Sequence, residues 1–256
     1  MVKFFERKAE VNMRKYFNML YKDNFDKLKK LIENSIIKGK RTFIITANPE
    51  TFMKASNDEM LDKMLLDKEN LIVPDGIGIV KAANMLNIKV KERLPGIEIA
   101  KFLLEEADTF KKTVFLFGAT KEVQEKMQEK IKIMFPNLKL IGSVDGYVEN
   151  KDAIFEDMKT LKPDIVLVAL GIPNQEKLIY KHLSDFDKGI FVGVGGSLDV
   201  ISGMKKRAPK IFIKLNLEWL YRIIKEPKRI KRFYDSNVKF IFEVKKISKE
   251  RCDKND

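Results

Sequence analysis

The sequence predicts an α/β fold with a Rossmann-like, mostly parallel sheet and helices on both of its faces. Short apolar runs alternate along the chain with longer segments in which apolar residues recur at helical spacing. The short runs are continuously apolar, as expected for parallel strands that are covered on both sides. Few residues separate each strand from the next helix, which favours one layered domain.

The elements are predicted as follows, in chain order. Residues 15–21 are expected to form a first strand, and a helix from Asn24 to Ile37 follows. Further strands are expected at 41–47, 71–73, 113–117, 139–143, 164–170 and 189–194. Helices are expected at 50–66, 76–86, 97–108, 121–134, 152–160 and 175–184. Pro49 suits the first turn of its helix, because a first turn leaves its amide groups unbonded.

Charge divides the chain into two predicted parts. Residues 1–200 are expected to form the α/β domain, with residues 1–14 irregular, and residues 201–256 a basic helical appendage. The chain has a net charge of +13, and the segment from Lys205 to Arg251 carries +11, from sixteen Lys or Arg and five Asp or Glu. Apolar residues are interleaved with these charges, which is typical of an amphipathic segment that docks on an anionic membrane surface. The alternative is a solvated basic face with packing aromatic residues.

Composition excludes several classes of protein. With 45% apolar and 34% charged residues, the chain has the composition of a soluble globular protein, and no apolar run is long enough to span a membrane. The charged N-terminus is followed by no apolar signal core, so we do not expect secretion. One cysteine, Cys252, and one histidine, His182, exclude an internal disulfide and a Cys/His zinc site. We interpret His182 as a packed or surface residue, because no triad motif accompanies it.

Candidate site residues follow the predicted strands. The carboxyl ends of parallel strands meet at one edge of a sheet, where open α/β proteins bind ligands. Asp75 is the candidate for chemistry, although an Asp at that position also suits as a helix N-cap. Glycine-rich turns and free helix amides favour a nucleotide or a phosphorylated sugar, but neither a dinucleotide fingerprint nor a P-loop is present. The edge would bring together Thr46, Asn48, Asp75, Gly118, Tyr147, Gln175, Gly195 and Gly196.

Four stretches resemble, in order and spacing, the WecG/TagA/CpsF family of bacterial glycosyltransferases. The resemblance extends over roughly residues 15–234, and Leu198 stands where the family usually has an aromatic residue. The stretches are Thr46-Ala-Asn48-Pro-Glu; Pro74-Asp75-Gly76-x-Gly78 with Arg93-Leu-Pro95-Gly96; Gly171-x-Pro173-x-Gln175-Glu176-Lys177; and Gly193-Val-Gly195-Gly196-Ser-Leu-Asp199, followed by Gly203-x-x-x-Arg207-Ala-Pro209 and Leu217-Glu218-Trp-Leu-Tyr-Arg222.

The resemblance implies an activity. Members of the family transfer N-acetylmannosamine or a related sugar from a UDP donor to N-acetylglucosamine on undecaprenyl diphosphate, with inversion, in wall teichoic acid or related surface-glycan synthesis. It implies no metal and no other cofactor. We therefore expect a UDP-sugar donor, a lipid-linked acceptor and an anionic membrane surface as partners, and a cytoplasmic protein peripheral to the inner face of the plasma membrane. A homo-oligomer is a further expectation, and a nucleic-acid partner is not expected.

The resemblance also implies roles for single residues. Asp75 would be the general base that an inverting attack requires. Thr46 and Asn48 would hold the sugar or the acceptor hydroxyl, and Arg93 would meet the negative charge that develops on the departing UDP. The further donor contacts would come from Tyr147, stacked on the base, from Gln175, Gly195, Gly196 and Asp199, and from Arg222, Arg229 and Arg232, which would approach the diphosphate.

Some alternatives stay open at this point. Arg207 and Glu218 either act in the site or form a structural pair, and Pro227 would kink or interrupt a helix that carries the three arginines. The donor sugar is N-acetylmannosamine, its uronic acid or glucose. A nucleotide-sugar enzyme of another reaction type, such as an epimerase, and a nucleic-acid-binding protein that uses the basic appendage are the rival functions; steep salt dependence of DNA affinity would favour the latter.

Overall fold

A six-stranded sheet forms the centre of the molecule. The structure is a computed structural model that describes residues 13–252, with side chains up to residue 249. The strands are β1 (Thr42–Ala47), β2 (Leu71–Pro74), β3 (Thr113–Gly118), β4 (Lys139–Val144), β5 (Ile165–Ala169) and β6 (Ile190–Gly193). They pair in the order β2-β1-β6-β5-β3-β4, and every pair is parallel, as predicted.

Helices cover both faces of this sheet. In chain order they are α1 (residues 13–19), α2 (Phe25–Ile37), α3 (Pro49–Ala55), α4 (Glu59–Leu66), α5 (Ile77–Met85), α6 (Gly96–Thr109), α7 (Lys121–Met134), α8 (Lys151–Leu161), α9 (Asn174–His182), α10 (Ser197–Ile201), α11 (Lys210–Lys214), α12 (Glu218–Lys225), α13 (Arg229–Phe233) and α14 (Lys239–Cys252). A π-helical turn, Tyr234–Val238, joins α13 to α14. No helix in this described part of the chain is both long and apolar enough to cross a bilayer.

The sheet separates two apolar cores. Successive side chains of a strand point to opposite faces, so Phe43 and Ile45 of β1 enter one core and Ile44 the other. The first core lies under α1, α3, α4, α5, α8, α9 and α14, and the second under α2, α6, α7 and α10. Leu198 is fully buried in the second core.

Two predicted elements are wrong. Residues 15–21 do not form a strand: residues 13–19 are helical, and only Leu20 makes an isolated bridge, to Ile72. The buried residues Met13, Tyr16, Phe17 and Leu20 recur at spacings of three and four, which is the helical period that the prediction missed.

The predicted helix at 50–66 is two helices, α3 and α4. They are separated by residues 56–58, and each begins with its own capping residue. The Asn48 side chain accepts a hydrogen bond from the Thr51 amide (3.1 Å), and the Asp58 side chain accepts one from the Leu61 amide (3.2 Å). These caps satisfy amide groups that a helix start leaves without partners.

The C-terminal segment, which runs from α11 to α14, packs back onto the sheet domain. Pro227 interrupts it as predicted, since α12 ends at Lys225 and α13 begins at Arg229. Beyond this break α14 returns to α5 and α3, and its Phe240 ring lies 6.3 Å from the ring of Phe52 in the first core. The domain boundary near residue 200 stays a prediction, and residues 1–12, predicted to be irregular, lie outside the described residues.

A crevice opens between two neighbouring strands at the carboxyl edge of the sheet. After β1 the chain enters α3, whose Phe52 lies in the first core. After β6 it enters α10, whose Leu198 lies in the second core. Because adjacent strands send the chain to opposite faces at this point, nothing from the sheet layer fills the space above them, which is the usual position of a ligand site in open α/β folds.

Candidate active site

A cavity of about 340 Å³ occupies this crevice. Its floor comes from the ends of β1, β2 and β6, one side comes from the loop after β5, and the C-terminal segment closes it from above. The volume is within the range of small-molecule sites. Its lining residues are Thr46, Asn48, Glu50, Asp75, Gly171, Ile172, Gln175, Gly193, Val194, Gly195, Gly196, Trp219, Arg222, Ile223, Arg229, Arg232, Phe233, Ser236 and Asn237. We call it the first cavity.

Asp75 provides a carboxylate at the floor of the first cavity. It follows β2 directly, and its side chain is 27% exposed. Burial raises the pKa of the Asp75 carboxyl, and the nearby Glu218 carboxylate adds to the rise; Arg93, the Gly96 amide that donates a hydrogen bond to it, and Arg222 oppose it. A carboxylate with a raised pKa is suited to accept a proton near neutral pH.

Arg93 lies behind this carboxylate and outside the cavity lining. Its Nε is 3.7 Å from Asp75 Oδ1, too far for a hydrogen bond, and its terminal nitrogen donates to Glu218 Oε2 at 2.9 Å. Glu218 is also paired with Arg207, whose Nε is 3.3 Å from Glu218 Oε1, and Arg207 in turn pairs with Glu98. Burial opposes ionisation of Glu218, but the guanidinium groups of Arg93 and Arg207 have the larger combined effect, so the pKa of its carboxyl is lowered. The geometry of the Arg207–Glu218 pair therefore favours a structural role, in which it holds the start of α12 beside Asp75.

Gln175 joins two loops of the site. Its side-chain oxygen accepts hydrogen bonds from the Gly171 and Gly195 amides, both at 3.0 Å, and its side-chain nitrogen donates to Glu176 at 2.7 Å. A Cβ on Gly193 would lie 2.5 Å from that nitrogen, so any larger residue there would displace the Gln175 side chain. Gln175 is 2% exposed, and its side-chain oxygen holds the loops after β5 and β6 together.

Thr46 and Asn48 end β1 at the cavity, and both have structural bonds. The Thr46 hydroxyl donates to the Gly193 carbonyl at 3.2 Å, which ties β1 to β6. The Asn48 oxygen caps α3, so its amide nitrogen is the group that it can offer to a ligand. Gly195 and Gly196 line the cavity with their backbone, as the predicted glycine-rich edge requires.

Three arginines from the C-terminal segment reach the cavity. Arg222 lies on α12, and Arg229 and Arg232 lie on α13. Arg229 is paired with Glu226 at 2.7 Å and Arg232 with Glu50 at 2.9 Å. Between the two helices, Trp219 and Phe233 stack with their rings 4.5 Å apart, which holds the arginines over the floor.

Not every predicted residue lies in the first cavity. Gly118 ends β3 and Tyr147 follows β4, and both strands lie on the far side of β5 from the cavity. The Tyr147 side chain is 78% exposed. Asp199 lies one turn into α10 and pairs with Lys205 at 2.9 Å. Several lining residues were not predicted from the sequence, among them Glu50, Trp219, Phe233, Ser236 and Asn237. The Pro49-Glu50 and Leu217-Glu218-Trp219 motifs offered a signal for Glu50 and Trp219. Ser236 and Asn237 follow only from the fold.

One group of potential metal ligands exists among the described residues, away from this cavity. Glu156, His182 and Asp185 lie at the end of α9 opposite to the cavity, with ligand atoms within 4.8 Å of one another. Both ring nitrogens of His182 already contact Asp152 and Asp185, and the ring stacks on Phe155 at 4.9 Å, so His182 is a packed residue. The stretch Asp185-Phe186-Asp187 is an Asp-x-Asp pattern, and it also lies at this remote end.

Comparison with known proteins identifies the family. A profile described as the glycosyl transferase WecG/TagA/CpsF family matches residues 15–253. This chain belongs to that family. The match includes most of α1 at one end and all of α14 at the other, so the C-terminal segment that closes the first cavity is part of the family's common sequence. The resemblance inferred from the four motifs is thus confirmed.

Two relatives within the family share most of the chain. A Bacillus subtilis (strain 168) protein named N-acetylglucosaminyldiphosphoundecaprenol N-acetyl-beta-D-mannosaminyltransferase is 43% identical over 190 residues, which cover 74% of this chain and 73% of the relative. A Staphylococcus aureus (strain MW2) protein of the same name is 38% identical over 209 residues, which cover 81% of each chain. Family membership makes this chain a glycosyltransferase.

Proposed function

We propose that this chain transfers N-acetylmannosamine from a UDP donor to N-acetylglucosamine on undecaprenyl diphosphate, with inversion and without a metal. The names of the relatives support the acceptor and the transferred sugar. The observation that carries the proposal is the first cavity itself, in which one carboxylate with a raised pKa lies beneath three guanidinium groups. This combination matches the two chemical requirements of the reaction, a base for the acceptor and positive charge for the leaving group.

Asp75 acts as the general base. In an inverting transfer the acceptor hydroxyl attacks the anomeric carbon as its proton leaves, the bond from that carbon to the UDP oxygen breaks, and UDP departs with the bonding electrons. Asp75 receives the hydroxyl proton, for which its carboxylate must be ionised. The Gly96 amide fixes the carboxylate, and Arg93 keeps the rise in its pKa limited.

Arg222, Arg229 and Arg232 stabilise the departing diphosphate. The negative charge on the bridging oxygen grows as the bond to the sugar breaks, and prepositioned donors lower the energy of that state. Guanidinium groups donate to phosphate oxygens in a bidentate geometry that a single ammonium group does not offer. Arg229 and Arg232 exchange Glu226 and Glu50 for phosphate oxygens when the donor binds.

The C-terminal segment brings the site to a lipid-linked substrate. Helices of this segment that carry many lysines and arginines also expose large apolar side chains. Four of these side chains are each at least 60% exposed, namely Ile211, Leu215, Ile224 and Ile230. Exposed apolar side chains beside basic ones favour an interfacial position on an anionic membrane, and each basic residue near the headgroups contributes about 1 kcal/mol. The cytoplasmic leaflet is the surface that offers both the anionic lipid and the donor.

Replacement of Asp75 by Asn tests this function. The amide keeps an oxygen that accepts the Gly96 hydrogen bond but cannot take up the proton, so we expect transfer to be lost while UDP binding and the melting temperature stay unchanged. The assay follows UDP release with a short-prenyl acceptor analogue and a panel of UDP-sugars, in the presence of a chelator. Near-normal turnover by Asp75→Asn, or a wild-type protein that uses none of the donors, contradicts the proposal.

A further inference from the structure

One helical segment forms a wall between two cavities. A second cavity, of about 1080 Å³, lies on the other side of α13 and the π-helical turn. Arg229, Phe233 and Asn237, four residues apart, line the first cavity. The second is lined from the same segment by Lys228, Lys231, Asp235 and Lys239, while Arg232 and Ser236 line both. Helical spacing therefore gives one face of this segment to each cavity.

The remaining walls of the second cavity are partly apolar. The apolar part consists of Met53 of α3, Leu61 of α4 and the side chains of Leu170, Ile172 and Pro173 after β5. Glu50, Gly171 and Ile172 line both cavities, so the two spaces adjoin at the end of β5. A ligand that enters from the second cavity thus approaches the floor of the first past Ile172 and Arg232.

Positive charge in the second cavity is not balanced by its carboxylates. Glu50 contacts both Lys54 (2.8 Å) and Arg232 (2.9 Å), and Asp235 contacts Lys239 (2.6 Å). The remaining carboxylate, Asp58, pairs with Lys177. Lys228 and Lys231 are left without an ion pair among the described side chains, although both line the cavity. Two unpaired ammonium groups opposite an apolar wall favour an anionic, amphipathic ligand.

We infer that the second cavity binds the diphosphate and the first isoprene units of the lipid-linked acceptor. This rests on the proposed function, which requires a prenyl diphosphate to present its sugar to Asp75. Lys228 and Lys231 contact the diphosphate, the apolar wall around Met53 and Ile172 contacts the prenyl chain, and the acceptor sugar extends past Arg232 into the first cavity. Donor and acceptor diphosphates then bind on opposite faces of one helix, with Arg232 between them.

Calorimetry with farnesyl diphosphate, kept below its micelle concentration, tests the site without any turnover. The variant is Lys228→Ala with Lys231→Ala. The matched control is Lys245→Ala with Lys249→Ala, which removes the same charge from exposed positions of α14 outside both cavities. We expect the double variant to bind farnesyl diphosphate on the order of tenfold more weakly, from the loss of two charge-assisted contacts, and the control to bind it as the wild type does.

Kinetics separate the two substrates. With a short-prenyl acceptor, we expect the Lys228/Lys231 variant to raise the acceptor KM by a similar factor, with kcat, donor KM and UDP affinity unchanged. Weaker UDP binding in this variant would assign the cavity to the donor and overturn the inference, as would unchanged farnesyl diphosphate binding. If the wild type binds farnesyl diphosphate through these lysines but transfers no sugar, the proposed function fails and the binding site stands.

Discussion

Asp75 is surrounded by charges that act on its carboxyl in opposite directions. Burial and Glu218 raise its pKa, and Arg93 and Arg222 oppose the rise. Asp75, as the proposed base, must be ionised to accept a proton, so we expect activity to fall as the pH falls through this pKa. We therefore expect the arginines to set the lower end of the pH range for activity, and Arg93 to do so without lining the first cavity.

Replacement of Arg93 by Met measures this effect. Because Arg93 opposes the rise in the pKa of Asp75, its loss raises that pKa further, and the acid limb of the kcat/KM profile moves to higher pH. The control is Arg207→Met, which removes the other arginine on Glu218 without removing a charge from Asp75. An acid limb that stays in place in Arg93→Met, or moves equally in both variants, contradicts the assignment.

Glu176 is a buried acid that gives the fold a pH dependence. It is 1% exposed, Oε2 has no hydrogen-bond partner, and burial is the main cause that raises its pKa from 4.5 to about 7, with Glu50 adding to the rise and Gln175 and Lys54 opposing it. The unfolded chain therefore loses this proton at lower pH than the folded chain. Stability contributed by the neutral acid is complete below about pH 4.5 and is lost as the pH rises to about 7.

Glu176→Gln removes this dependence. Glutamine keeps an oxygen to accept the Gln175 hydrogen bond and carries no charge, so we expect the variant to be more stable than the wild type at pH 8 by up to roughly 3 kcal/mol and similar to it at pH 4.5. Urea unfolding at the two pH values measures the difference, with Glu125→Gln on the exposed face of α7 as the control. Equal stability of variant and wild type at pH 8 would show that the fold does not raise the pKa of Glu176.

At the level of elements, local pattern predicted most of the fold. The α7 helix begins and ends at the predicted residues, because its apolar period is regular and Thr120 caps its start. Local pattern failed at α1, because its helical spacing of three and four repeats too few times over seven residues to be distinguished from a strand. It also failed between α3 and α4, where the apolar period continues across a break that only the Asp58 cap marks.

The candidate site shows the same division. Thr46, Asp75, Gln175 and Gly195 were predictable because each lies at or after the carboxyl end of a strand, and the parallel sheet brings such ends together. Tyr147 follows a strand too, but β4 is an edge strand, and strand order is a long-range property that no local motif encodes. The closure of the cavity by α12 and α13 depends on the packing of α14 against the core, and no motif describes that contact.

For the whole molecule, the exposed apolar residues of the C-terminal segment make a prediction about membranes. Ile224→Glu with Ile230→Glu places charge on side chains that are 60% and 62% exposed, so we expect loss of binding to anionic vesicles with little change in melting temperature. Flotation of phosphatidylglycerol vesicles measures binding. Ile133→Glu, on α7 and 80% exposed, is the control and should bind as the wild type does. Undiminished flotation of the double variant contradicts docking through this surface.

Phe240 of α14 has a consequence for the newly made protein. On the ribosome, the rings of Phe17 and Phe52 emerge long before Phe240, which packs against both, so one end of the first core stays uncovered until α14 has been made. The three arginines of the first cavity lie just before it, on α12 and α13. A chain cut short before α12 by a premature stop codon or by a protease is therefore expected to lose solubility and catalysis together, so only a chain that includes these helices forms a working enzyme.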